Sequence, residues 1–227
     1  MKCIYCQKQC IKKGKYKTIQ RYQCTYCKRY QQKKYLKPVI PEHKYEWVIK
    51  LNKECCGISS ISRLLSVSKS SVQRVIIRIS SKIRDPSHKE ENQMYEIDEL
   101  RTYCGSKKQE CWIIYAINKV TGSVIDFVVG RRTKLNIKQV VNSVLSLSPK
   151  HIYTDGLNVY PSLIPKTVHK IFRYCTNKIE RHNLTLRTHI KRLIRKTICF
   201  SKSIDLLFCT LKLYWFGSVN ILRVPTV

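Results

Sequence analysis

Cys3 and Cys6 form one CxxC pair, and Cys24 and Cys27 form a second, with seventeen residues between the pairs. Four thiolates in this spacing suit one tetrahedral structural Zn²⁺, each pair sitting on a tight turn. The segment needs such a staple. Its only aliphatic residues before position 35 are Ile4, Ile11 and Ile19, so metal binding has to supply folding energy that a core cannot. Residues 1–37 are therefore read as a zinc-ribbon-like segment with Cys3, Cys6, Cys24 and Cys27 as ligands. A chance coincidence of cysteines is the competing reading, and two paired spacings weaken it. Cys10 is a rival ligand, read here as a bystander. The N-terminus has no apolar signal core, so the twelve cysteines are expected to be thiols or metal ligands rather than disulfides.

Charge narrows the range of partners. Lys and Arg number 44 against 14 Asp and Glu, a formal net charge of +30. Such an excess repels itself in a compact state. Beside a polyanion it is useful, because each phosphate contact releases counterions. Residues 1–41 hold 12 Lys or Arg and no acid, and residues 166–202 hold 11 with one acid, Glu180. Charge alone does not separate DNA from RNA or from an anionic membrane surface. No apolar run approaches the roughly 20 residues of a spanning helix, so no membrane partner is expected and the location is read as cytoplasmic or nucleoid-associated.

Pro38 and Pro41 mark a joint, and residues 38–86 have helical periodicity. Tyr45, Val48 and Ile49 define the inner face of a first helix over 43–53, which Gly57 breaks. Two short helices follow. Ile58, Ile61, Leu64 and Leu65 face inward in the first, and Val72, Val75, Ile76 and Ile79 in the second. Ser68, Ser70 and Ser71 are candidate caps between them. This is the outline of a helix-turn-helix DNA-binding module. On the second helix Gln73 and Arg74 are placed to reach base edges, and Lys69 and Arg78 to hold phosphates. A packing or dimerisation hairpin is the alternative, which the serines and basic residues fit less well. Asp85-Pro86 through Glu91 reads as a linker.

From residue 93 the period changes to two. "QMYEIDEL", "CWIIYAIN" and "VIDFVVG" read as three antiparallel strands. A helix follows over 134–147, with Leu135, Val140, Val141, Val144 and Leu145 inward. "HIYTD" and "VHKIF" read as further strands, and a long helix is expected from about 176 to 196. The tail has a last apolar helix through Leu206, Leu207, Phe208, Leu211 and Trp215, either covering the sheet or meeting a second subunit. The predicted order is three strands, helix, strand, helix, strand, helix: an α/β, ribonuclease-H-like catalytic domain over residues 87–227.

Three acids fall where that order brings distant residues together: Asp98 on the first strand, Asp155 at the end of the fourth, and Glu180 opening the long helix. Carboxylate oxygens suit hard divalent cations. Two Mg²⁺ (or Mn²⁺) ions about 3.5–4 Å apart could activate a nucleophile and stabilise a leaving oxygen. Glu99 is a rival to Asp98, but lies on the opposite pleat face and is read as unable to share its role. Asp126 is an outside candidate. Asp155 could instead cap a turn, and Glu180 could simply favour the helix dipole. On the long helix Glu180, Arg187, Lys191 and Arg195 are predicted to share one face, with metal acid and phosphate-binding bases side by side. His182 could assist proton transfer or touch a phosphate.

The segments "CxYC…QRYQCxYC", "EIDEL", "YTDG…Y" and "NKIERHNLTLRTHIKRLIRKTICFSKS", together with the helical module, give the chain a resemblance to the IS1-family transposases over nearly its full length. The resemblance implies a DDE recombinase whose acidic triad falls on Asp98, Asp155 and Glu180. It further implies recognition of terminal inverted repeats in double-stranded DNA, nicking at transposon ends, and joining of the 3′-hydroxyl to target DNA. A homo-oligomeric protein–DNA complex pairing both ends belongs to the same expectation. A Tyr or Ser recombinase would need a nucleophile amid several Arg or His residues, and neither Tyr160 nor Tyr214 has that setting. A non-catalytic DNA-binding repressor is the competing functional class. An RNA-processing factor fits the charge but not the helix-turn-helix.

Overall fold

The computed structural model describes residues 1–33, 40–41, 43–83 and 90–218. The expected domain boundaries at 37/38 and 86/87, with Pro38 and Asp85-Pro86, lie outside the described residues. The chain divides into two compact units, Met1–Ile40 and Pro41–Val227.

The first unit is a three-stranded antiparallel sheet in the order β1-β2-β3, formed by β1 (Cys10–Tyr16), β2 (Ile19–Cys24) and β3 (Tyr30–Gln32). Its interior is Cys3, Cys10 and Cys24, packed by Cys6, Tyr22 and Cys27. The aliphatics stay outside: Ile4 and Ile11 are exposed. Sulfur replaces a hydrocarbon core, as the composition of the segment requires.

In the second unit, α1 (His43–Lys53), α2 (Ile58–Leu64) and α3 (Lys69–Lys82) form a helical group. Ser68 starts α3, its side chain accepting from the Ser71 N–H at 3.1 Å, which satisfies one of the helix's orphan donors. Val72, Val75, Ile76 and Ile79 are buried on one face. Leu64, expected inward, is instead exposed, because α2 ends there after two turns and leaves its last residue without a partner face.

A five-stranded sheet follows, in the order β6-β5-β4-β7-β8. Its members are β4 (Met94–Cys104), β5 (Ser106–Asn118), β6 (Val124–Gly130), β7 (His151–Tyr153) and β8 (His169–Lys170). β4, β5 and β6 are antiparallel neighbours, while β7 runs parallel to β4 and β8 parallel to β7. Strand alternation sorts two cores. Ile113, Tyr115 and Ile117 face α5 (Asn177–His189) and α6 (Ile204–Phe216). Tyr95, Ile97, Ile114 and Ala116 face α4 (Lys134–Leu145). On α4 the buried residues are Ile137, Val140, Val141 and Val144, and Leu135 points to solvent. Ile137 takes the inward position in the first turn, and Leu135, two residues earlier, is about 200° away around the helix.

Two expected elements are shorter than their sequence suggested. Between β7 and β8 there is only a 3₁₀ turn, Tyr160–Ser162, in place of a helix. The long helix stops at His189, and Ile190 is extended (φ −95°, ψ 95°) before a single 3₁₀ turn at Lys191–Leu193. Burial of both Ile190 and Leu193 against the sheet bends the chain there. Arg187 stabilises the bend, donating to the carbonyls of Leu193 at 2.8 Å and Arg101 at 3.0 Å. The predicted single stripe of Glu180, Arg187, Lys191 and Arg195 is therefore not formed: the last two lie beyond the helix end.

The last helix both covers the sheet, through Leu207 and Leu211, and meets the helical group. Asn52 on α1 donates to the carbonyl of Thr210 at 3.2 Å, and Lys53 to that of Gly217 at 2.8 Å.

Candidate active site and metal clusters

Among the described residues two groups of side chains could hold a metal ion. In the first, the sulfurs of Cys3, Cys6, Cys24 and Cys27 all lie within 4.8 Å of one another. Cys3 and Cys27 approach to 3.6 Å, and Cys6 and Cys24 to 3.4 Å. Each CxxC pair occupies a tight turn followed closely by a left-handed residue, Gln7 (φ 60°) or Lys28 (φ 59°). Backbone N–H groups turn toward sulfur, as with Tyr5 to Cys3 at 3.4 Å. Burial opposes ionisation of Cys24, but the N–H groups of Cys27 and Tyr26 and the thiol of Cys6 outweigh it and bring the pKa to about 6. Four sulfurs converging in this way are the donor set a structural Zn²⁺ takes. Cys10 stands aside, its sulfur accepting from the Gln31 side chain at 3.3 Å.

The second group is Asp98, Glu99 and Asp155, whose carboxylate oxygens lie within 4.8 Å of one another. Asp98 is on the sheet face toward α5, and Glu99 on the face toward the Tyr160 turn. The pleat assignment made from sequence is met, but the inference drawn from it is not: opposite faces do not keep Glu99 from the site. β7 pairs with β4 only as far as Glu96↔Tyr153. Beyond that point the β4 edge is open, so side chains from both faces reach the same notch, into which Asp155 descends from the end of β7. Tyr160 donates to Glu99 from below, and Arg132 Nη1 stands 3.9 Å from the other Glu99 oxygen.

Asp98 accepts from its neighbour's backbone, Glu99 N–H, at 2.7 Å, and from Asn183 Nδ2 at 2.6 Å. Burial pushes its pKa up, and the charges of Asp155 and Glu180 add to that. Burial and the charges of Asp155 and Asp98 lift Glu99 to about 7, against the pull of Tyr160 and Arg132. Repelling acids of this kind become compatible when a divalent cation sits among them. Glu180 is in the first turn of α5 and exposed, outside the 4.8 Å group, its carboxylate accepting from Thr176 Oγ1 at 3.0 Å.

Glu96 ties that helix to the strand. It is fully buried. One oxygen accepts the backbone N–H of Ile179 at 2.6 Å and the other pairs with Lys119. Thr176 gives α5 no side-chain cap of its own, so the orphan N–H is satisfied from the sheet. Lys119 also donates to the Cys175 carbonyl at 2.6 Å. Four residues along the helix, Asn183 accepts from Tyr115 at 2.8 Å while donating to Asp98. His182 packs by Tyr115 with Nδ1 at 3.2 Å from its hydroxyl, and burial lowers its pKa. Asp126, the outside candidate, accepts from Ser143 and fastens α4. Sequence reasoning gave no role in the site to Glu96, Arg132 or Lys119, and weighed Tyr160 only as a nucleophile. The signal available was an acid at alternating positions of one strand, two residues before Asp98.

A strand acid and a second acid at the end of its parallel neighbour thus belong to a carboxylate cluster that could hold a divalent cation, and Glu180 opens the helix next to that strand. The family model described as "IS1 transposase" matches residues 93–214, which include all of these groups. The chain belongs to the IS1 transposase family. It is accordingly a DDE-type transposase. The insertion element iso-IS1n protein InsB of Shigella dysenteriae is 39% identical over 111 residues, spanning 49% of this chain and 85% of the relative. The insertion element IS1 protein InsB of Shigella flexneri is 36% identical over the same length and shares. Among solved structures, a chain of a simian T-cell lymphotropic virus intasome aligns with 72% of this chain and 66% of its own, at 17% identity and TM-score 0.38. The HTLV-2 integrase catalytic core domain aligns over 56% and 84%, at 15% identity and TM-score 0.36.

Among the described residues no helix is long and apolar enough to cross a membrane.

Proposed function

We propose that this transposase binds the terminal inverted repeats of its element, nicks the transposon ends, and joins the resulting 3′-hydroxyl to target DNA. The observation that carries the reading is the convergence of Asp98 and Asp155, with α5 clamped so that Glu180 opens the helix beside them. The sheet order, with three antiparallel strands followed by two parallel ones on the β4 side, supports a ribonuclease-H-like fold for the catalytic part. Asp98, Asp155 and Glu180 would hold Mg²⁺ or Mn²⁺, which supply a nucleophile activated at neutral pH and charge neutralisation at the leaving oxygen. Asn183 keeps Asp98 oriented, and Glu96 keeps the Glu180 helix in register. Both nicking and joining are in-line displacements at phosphorus that need no covalent protein intermediate.

Residues 1–37, a zinc-ribbon-like segment, and 38–86, a helix-turn-helix module, form the end-recognition part in this reading, and residues 87–227 the catalytic domain. α3 is the reader. Gln73 is partly exposed and Lys69, Arg74 and Arg78 are exposed, with Arg74 folded back on the Ser70 carbonyl at 3.2 Å and Arg78 near the Tyr45 hydroxyl at 3.3 Å. Arg187, Lys191 and Arg195 contribute phosphate contacts at and beyond the end of α5, from two segments rather than one stripe. A homo-oligomer on DNA would pair the two ends.

The deciding experiment is a Mg²⁺-dependent nicking and joining assay on DNA carrying the element's inverted repeat, with Glu180→Gln as control. Specific nicking that the variant loses supports the reading. Binding without nicking in either protein sinks it in favour of a repressor.

A further inference from the structure

A groove of about 810 Å³ opens at the end of the sheet away from β7, lined by Lys108, Arg131, Arg132, Lys202, Glu110 and Trp112. We propose that this groove is the track for the backbone of the target DNA strand. The proposal rests on the transposase reading above, in that the reacting phosphate is taken to lie at the acidic cluster.

Charge is the first argument. Four of the lining groups are cations, and the one acid, Glu110, is already paired with Arg101. No described acid forms an ion pair with Lys108, Arg131 or Lys202. Exposed like charges gathered in one concavity focus a positive potential on a passing anion.

Position is the second. Arg132 stands in the groove with its guanidinium 4.4 Å from the Trp112 ring centre, and reaches to 3.9 Å from Glu99. Arg132 thus links the groove to the acids. From Glu99 to Cys104, which also lines it, β4 advances five residues, about 17 Å at ~3.3 Å per residue. A DNA strand rising ~3.4 Å per nucleotide covers that distance in about five nucleotides. The spacing fits a strand that passes the reaction centre and continues along the sheet end.

Chemistry chooses between the two DNA partners. Phosphate contacts position a duplex and base contacts specify it. The groove offers Lys and Arg ends. The face of Trp112 is already engaged by Arg132. The Gln109 amide is held over Gly105, where a Cβ would meet its oxygen at 2.6 Å. Its charged lining is ammonium and guanidinium ends with one paired acid, a set suited to phosphate oxygens. A grip indifferent to sequence suits the target, which varies, rather than the terminal repeat, which is fixed.

The test uses the full-length protein and the double variant Lys108→Gln, Arg131→Gln. Both residues are exposed and outside the acidic cluster. With inverted-repeat DNA and Mg²⁺, nicking should stay within about twofold while joining of a pre-cut end to plasmid falls at least about tenfold. Unchanged joining overturns the proposal, and so does an equal fall in both steps, which would assign the groove to end DNA. A second arm needs no catalysis. For a random-sequence 30-base-pair duplex without metal, the dependence of log K on log salt should become shallower by about 1.8, or 0.9 for each lost contact. If the wild-type protein neither nicks nor joins, the transposase chemistry proposed above fails. The salt slope then still decides the groove: a shallower slope supports it and an unchanged one overturns it.

Discussion

Asn183 donates to Asp98 at 2.6 Å across the gap between helix and strand, and the same amide accepts from Tyr115 at 2.8 Å. One side chain thereby fixes the orientation of the first acid and the seating of the helix that carries Glu180. Removing it should loosen the metal site before it loosens the fold. A hydrogen bond to a charged group contributes roughly 1.5–3 kcal/mol. Asn183→Ala is therefore expected to nick ten- to a hundredfold more slowly at low Mg²⁺, with part of the loss recovered at high Mg²⁺. A Mg²⁺ titration of nicking rate tests this; a loss that no concentration recovers would mean that Asn183 acts elsewhere.

Asp98→Asn keeps the shape of the side chain and removes its charge. Nicking and joining should fall by about a thousandfold or more, while affinity for inverted-repeat DNA stays within a few fold. Gel-shift and cleavage assays on the same preparation separate the two. Parallel loss of binding would make Asp98 structural.

Glu96 is buried, paired with Lys119 and capping α5 through Ile179. Deleting one partner of a buried pair leaves the other uncompensated, at a cost of roughly 3 kcal/mol. Glu96→Ala should show that loss in urea unfolding. Glu96→Gln, which can still accept the Ile179 N–H, should be stabler than Glu96→Ala yet slower in catalysis than wild type. Equal stability of the two variants would remove the capping role.

Glu99 has its pKa raised to about 7 by burial and by Asp155 and Asp98, above the roughly 4.3 of an unfolded glutamate. The folded protein then holds a proton that the unfolded chain has released. Stability from this group is complete below about pH 4.3 and is lost as pH rises through 7. In EDTA the melting temperature should therefore fall between pH 5 and pH 8, less so for Glu99→Gln. Mg²⁺ should restore it at pH 8, because the cation takes over the proton's part. A flat profile in wild type would show that the acids do not repel as their geometry requires.

Cys3, Cys6, Cys24 and Cys27 should bind one Zn²⁺ per chain, measured by metal analysis. A chelator should make residues 1–33 protease-sensitive and leave the five-stranded sheet resistant, because the first unit has no apolar core to fall back on. Cys24→Ser should do the same without chelator, and Cys10→Ser should not.

Much of this was decided locally. CxxC spacing proposes a sulfur-centred first unit. Period-two alternation places Ile113, Tyr115 and Ile117 on one face of β5 and Ile114 and Ala116 on the other. Ser68 begins α3 because a serine oxygen can reach an N–H three residues on. Asp98, Asp155 and Glu180 as candidates also needed only one dimension: the first two from their places on expected strands, and Glu180 because a lone acid in a basic run stands out. Where α5 ends was not legible: helical periodicity runs on through Ile190 and Leu193, and only their burial against the sheet, with Arg187 holding the bend, stops the helix at His189. Nor could pleat alternation place Glu99. It says which face a side chain leaves from, and not that β7 stops short at Tyr153 and opens an edge around which both faces meet. The same holds for Glu96, whose partners are 23 and 83 residues away. Local pattern sets element type because it depends on near neighbours along the chain; which carboxylates share one notch depends on where a neighbouring strand happens to end.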